Sequence, residues 1–199
     1  MQSRAAKMAT AKTGGASAHL AIANAAYLEL SKTACTFEMW LYGTTGNATL
    51  CVKALSESFS SCDFLLQLQA AAEEPKDEIF GENAAAGVKG ATPEKLNEWQ
   101  HVVITCEGST VKFYKNGAAN GTQTLSATFK SSAGPLIFGG QPGASFKGEA
   151  DFTGKLACLA VYNTVLSAAR VKAHYEARNE NAESLSFEAV ADQTSTDGA

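Results

Sequence analysis

Residues 97–125, NEWQHVVITCEGSTVKFYKNGAANGTQTL, leave this chain few folds to adopt. The run VVITC is rich in β-branched residues, which suit a pleated strand better than a helix. Glu107-Gly108 makes a tight turn into VKFY, and Asn116-Gly117 supplies the positive φ angles that a second hairpin turn requires. A chain written this way folds as a meander of neighbouring antiparallel strands. Upstream, TACTFEMWLY (33–42) alternates Cys35, Phe37, Met39 and Leu41 on one face with Thr36, Glu38, Trp40 and Tyr42 on the other. That period of two predicts a half-buried strand. Further strands are predicted at 50–55, 63–70, around Ile79-Phe80, at PLIFGG (135–140) and at GKLACLAVYN (154–163). The rest of 71–90, acidic and then glycine-punctuated, reads as loop.

The pattern changes after Leu166. SAARVKAHYEAR predicts a short helix, with Ser167 as the N-cap and Ala169, Val171, Ala173 and Tyr175 as a narrow apolar stripe. Many strands with glycine turns, then one late helix, describe an all-β, antiparallel two-sheet β-sandwich (jelly roll) with one short C-terminal helix. At 199 residues one domain is expected, over 19–177, with extensions at 1–18 and 178–199.

A formal net charge of −4 offers no basic field for phosphate, so nucleic acid is not the expected partner. No apolar run is long enough to cross a bilayer. The amino terminus lacks the roughly seven to fifteen apolar residues of a secretory signal, so an intracellular protein is expected. Its basic, acid-poor, Ala/Ser/Thr-rich composition keeps organelle targeting open. Five cysteines (Cys35, Cys51, Cys62, Cys106, Cys158) fit no zinc spacing and sit in apolar runs. Reduced core thiols are the preferred reading, with a Cys51–Cys62 bridge as the alternative.

Several segments, in order, resemble the laminin-G-like jelly rolls of the concanavalin A-like lectin/glucanase superfamily. YLEL (27–30) and CTFEMWL (35–41) are similar to the family's two early strands. WQHVVIT (99–105), the Glu107-Gly108 turn and FYKNG (113–117) resemble its "W-H-H-V-A … L-Y-V-N-G" hairpin, and GKLACLAVYNTVLS (154–167) resembles its last strand. In that strand the family's Asp-Glu pair is replaced by Ala157 and Cys158, so the family's activities do not transfer wholesale.

The resemblance brings glucanases into view, whose strand of spaced acids aligns nucleophile and acid on one face about 5 Å apart. Here Glu149-Ala150-Asp151 starts such a pattern, but Thr153 and Gly154 stand where the third acid belongs, so no catalytic residue and no enzyme activity are expected. Calcium at a rim of the sandwich needs six to eight oxygens. Glu73, Glu74, Asp77, Glu78 and Asp151 could supply some of them, and an acidic surface loop explains the same residues. No cofactor is expected. A sugar would need an aromatic platform, and the Glu38, Trp40, Tyr42 face is the candidate, although Trp40, Trp99 and Phe113 also read as core. His101 reads as a hydrogen-bonded structural residue. The sequons Asn47-Ala48-Thr49 and Asn120-Gly121-Thr122 matter only in a secreted protein. Polar tails of this composition order only when something ties them down. The expected role is therefore a structural or adaptor subunit bound to protein partners, with Leu185, Phe187 and Val190 as docking residues. The alternative is a carbohydrate-binding, lectin-like module.

Overall fold

The computed structural model describes residues 9–11, 19–30, 34–55, 62–69, 75–81, 87–127, 129, 132–141 and 150–184. In chain order the strands are β1 (Ala9–Ala11), β2 (Leu20–Ile22), β3 (Cys35–Gly43), β4 (Ala48–Ala54), β5 (Cys62–Gln69), β6 (Lys76–Gly81) and β7 (Val88–Lys89). They continue as β8 (Gln100–Glu107), β9 (Thr110–Lys115), β10 (Ala118–Thr124), β11 (Leu136–Phe138), β12 (Ala150–Asp151) and β13 (Gly154–Tyr162). One helix, α1 (Ala168–Ser184), follows. The predicted meander is β8-β9-β10, turning at Gly108 and Asn116-Gly117, both in the left-handed region.

Two sheets result, ordered β1-β13-β3-β8-β9-β10 and β2-β11-β4-β5-β6-β7, with β12 beside β4. All these pairings are antiparallel except β12 with β4. This is the predicted two-sheet jelly roll. Ala9–Ala11 pairs with β13, so part of the expected N-terminal extension contributes a strand to the sandwich, and α1 runs beyond residue 177. YLEL is not a strand: Ala26–Leu28 makes a 3-10 turn, which lets Leu28 and Leu30 both reach the core.

The main core fills the space between the sheets with alternate residues of each strand, among them Phe37, Met39, Leu41, Leu50, Phe64, Leu66, Ile79, Ile104 and Phe113. Phe37 of one sheet meets Phe64 of the other with ring centroids 4.8 Å apart. Each such side chain contributes about 1.5–3 kcal/mol of burial, opposed by the entropy of ordering it. On the other face of the second sheet, Val52, Leu65, Phe80 and Ile137 form a separate cluster. Nearby, Lys53 and Asp63 are an ion pair at 2.8 Å, both about 1% exposed, and Ser132 joins it by donating to Asp63 and accepting from Lys53.

β3 is buried on both faces except at Tyr42, not half-buried as its alternation predicts. The reason is α1, which lies across the outer face of its sheet. Ser167 caps the helix as predicted, accepting from the Arg170 amide at 3.2 Å. Thr36 fixes its entry, accepting from Leu166 N and donating to Thr164 O. Val171 packs on Val103 and Tyr114, whereas Ala169 and Ala173 are exposed. The stripe that meets the sheet is Val171, which is buried, with the half-buried His174 and Tyr175 and the exposed Arg178, at the i, i+3, i+4, i+7 spacing of a helix face.

All five cysteines are free. Cys51 lies opposite Leu66 and Cys62 opposite Ala54, so these two do not face one another across the ladder. Cys35 is instead aligned with Cys106 across β3 and β8, both fully buried.

Candidate functional site

The outer face of the six-stranded sheet carries one row from β3 (Thr36, Glu38, Trp40, Tyr42) against another from β8 (Thr105, Val103, His101), with Trp99 just ahead of it. Glu38 gathers three donors. His101 Nε2 donates to Oε1 at 2.9 Å, Tyr162 Oη donates to Oε2 at 2.8 Å, and His174 Nδ1 lies 3.1 and 3.0 Å from the two oxygens. Burial alone pushes the Glu38 carboxyl up, but the hydrogen bonds from His101, Tyr162 and His174 together outweigh it and hold the group below its ordinary value. Burial, then Glu38, pushes the Tyr162 phenol well above its usual range, which keeps it a donor. His101 is thus the hydrogen-bonded structural residue expected of it.

Trp40 is only 8% exposed. Tyr175 stacks on it (5.7 Å, 14°), His101 lies 5.3 Å away and the Arg178 guanidinium sits 5.4 Å from its centroid. Glu38 and Trp40, expected as a glycan face, are therefore sealed beneath α1, because a covering helix leaves no mark on the strand's own period. Phe113 is core as expected; Trp99 is not, at 42% exposed. Gln100 aligns with Leu41, so the next position, Trp99, comes level with Tyr42 on the outer face. The two rings meet edge to face at 5.9 Å and 60°, and Lys155 Nζ lies 5.2 Å from the Tyr42 centroid. The approach to Trp99 is braced: Asn97 N donates to Gly43 O at 2.7 Å, and the Gln100 amide brackets Lys95 N and O at 3.0 and 2.7 Å. Of the predicted face only Tyr42 reaches this half-open platform. Trp99 was obscured because its sequence context reads as core, and only the strand register reveals its face.

The acidic candidates diverge. Asp77 and Glu78 are neighbours on β6 and point to opposite faces. Glu78 accepts from Gln67 at 2.7 Å and lies 3.8 Å from Lys89, while Asp77 turns toward Glu94 and Asn120. These two carboxylates therefore do not converge on one ion. Asp151 is placed by backbone alone, beside β4. Glu73, Glu74 and Glu149 lie outside the described residues, as do Leu185, Phe187 and Val190. Asn120 of the second sequon is 5% exposed and its Oδ1 accepts from Thr92 N and Oγ1, which makes it a buried structural amide. No described helix is long and apolar enough to cross a membrane.

Residues 13–172 match the sequence profile described as the concanavalin A-like lectin/glucanases superfamily. The chain belongs to that superfamily. Among solved structures, this superfamily member is similar to the native heptameric SAP-like pentraxin from Limulus polyphemus, with a TM-score of 0.58 and 16% identity over 77% of this chain and 73% of that one. It is similar also to domain 4 of AbnA, an extracellular arabinanase from Geobacillus stearothermophilus, in complex with arabinotriose (TM-score 0.56, 17% identity, 73% and 68% covered). A third is the Ruminococcus gnavus sialidase CBM40 bound to α2,3 sialyllactose (TM-score 0.54, 18% identity, 72% and 84% covered). At such identities the likeness shows a shared superfamily fold. No curated protein sequence matches the chain.

Proposed function

We propose that this superfamily member is a non-catalytic, carbohydrate-binding β-sandwich module that receives sugar on the Tyr42–Trp99 platform. The observation that carries the reading is the exposed Trp99 ring. Among the described residues only Leu55 and Trp99 are large hydrophobics left open to solvent. A flat aromatic face suits the C–H face of a pyranose, and Tyr42 and Lys155 add a phenol and an ammonium beside it. Two of the solved neighbours are named for their bound oligosaccharides, which supports glycan over protein as the partner. Glu38 is committed to His101, Tyr162 and His174, which argues against a role as nucleophile or acid.

The test is an oligosaccharide array followed by titration calorimetry on the best-bound sugar. Trp99→Ala is expected to weaken binding at least tenfold, about 1.4 kcal/mol, while Trp99→Phe retains part of it. An array without any bound sugar, or a Trp99→Ala variant that binds as tightly as the parent, overturns the reading and returns the structural-subunit expectation to first place.

A further inference from the structure

Away from the aromatic platform, two carboxylates meet inside the protein where β6 and β7 of one sheet approach β10 of the other. Asp77 is fully buried and Glu94 is 3% exposed. Each carboxyl lies near enough to feel the other, and among the described residues none of their four buried oxygens accepts a hydrogen bond. Lys115 lies 3.0 Å from Glu94 Oε1, yet its ammonium directs its protons elsewhere: to Thr92 O (2.9 Å), Thr92 Oγ1 (3.0 Å) and Pro93 O (2.5 Å). Three donors are thereby used, and Glu94 receives attraction without a directed bond. Asn120 turns its Oδ1 to Thr92 and leaves Nδ2 without a partner. The site is closed over by Gly90, where a Cβ would come within 2.8 Å of Asn120 Nδ2 and closer still to Asp77 Oδ1.

Two ionised carboxylates buried beside one another without donors repel; one proton between them turns the repulsion into a hydrogen bond. We propose that Asp77 and Glu94 hold a single shared proton, and that this proton is a latch fastening the segment 90–97 across the seam of the two sheets. Two backbone bonds mark what is fastened: Ala91 N donates to Asn120 O at 2.7 Å, and Glu94 N donates to Pro75 O at 2.6 Å. Burial, then the Asp77 charge, raises the Glu94 carboxyl to about 8, and burial raises Asp77 to about 6. Lys115 from β9 and Lys76 from β6 oppose these shifts without reversing them. Lys89 and Lys95 pair elsewhere, with Glu78 and Glu98. Since both folded values lie above the unfolded ones, the contribution is complete below the unfolded values, near pH 4, and declines as pH rises. It is gone above about pH 8.

Two measurements on the intact chain test this: carboxyl 13C titration by NMR, and amide exchange expressed as protection factors between pH 6 and 9.5. Glu94 is expected to titrate near pH 8. Over the same interval the Ala91 and Glu94 amides lose at least tenfold in protection while Ile104 in the core does not. Glu94→Gln keeps a donor at every pH and is expected to flatten that dependence. A Glu94 carboxyl titrating near 4.5, protection that is flat across the interval, or an unaltered dependence in Glu94→Gln each overturns the latch. If the variant does not fold, the titration of the unmodified protein decides the matter alone.

Discussion

Glu38 organises more of the outer face than any other single side chain described. Its loss would strand Tyr162, His101 and His174 around an empty acceptor position, one of the costlier changes a buried site can undergo. Glu38→Ala is expected to destabilise the fold by about 3 kcal/mol in denaturant titrations at pH 7. Glu38→Gln, which keeps the volume and one acceptor, should cost less. Because the carboxyl is held below its ordinary value of 4.5, its stabilisation is present above that pH and lost as pH falls below it. That acid-side decline should disappear in Glu38→Gln; a variant that declines as the parent does would remove Glu38 from the account. Part of this was legible in the sequence. The period of two placed Glu38, Trp40 and Tyr42 together, and they do share a face. What lay over that face was not written in the strand.

At the scale of the element, the helix start was legible because a cap has a local signature, and Ser167 carries it. The sheet-facing stripe was not, because half of it is polar: His174 and Arg178 face the sheet, while the exposed Ala169 and Ala173 look apolar in a sequence. The helix also leans on the β9–β10 turn. Gly117 has φ +75°, and a Cβ there would sit 3.0 Å from the Tyr175 ring, whereas Gly108 (φ +61°) has open space around it. Both glycines resist replacement for backbone reasons, at about 1 kcal/mol each. Gly117→Ala should therefore lower the melting temperature further than Gly108→Ala, by a margin reporting the helix contact, about 1 kcal/mol more. Equal losses would mean that α1 yields without cost.

For the molecule as a whole, the long strands were legible, and of the short ones β11, within the predicted PLIFGG run, was legible too. β3, β8, β9 and β13 repeat their pattern often enough to be seen, whereas β1, β2, β7 and β12 run two or three residues and owe their place to partners distant in sequence. The same distance hid the alignment of Cys35 with Cys106. Cys35, Cys51, Cys62 and Cys106 are all fully buried, with the Cys35 thiol pushed up chiefly by Cys106 and the Cys51 thiol by burial; Cys158 alone is partly open. A thiol-reactive dye at pH 8 should accordingly modify one cysteine per native chain and all five in denaturant. Rapid modification of more than one would show the sandwich opening on the timescale of the assay.

The order of the six-stranded sheet also matters while the chain is being made. β3 sits between β8 and β13, and Gly43 pairs with Gly154, about 110 residues further on. At roughly 5–20 residues per second, a ribosome leaves that edge of β3 without its partner for roughly 5–20 seconds. Through that interval a nascent chain carries an open ladder of hydrogen-bonding groups beside Phe37, Met39 and Leu41, the arrangement most prone to pairing with a neighbouring polypeptide. The last of the described strands to be synthesised is thus also the one that covers this edge of β3.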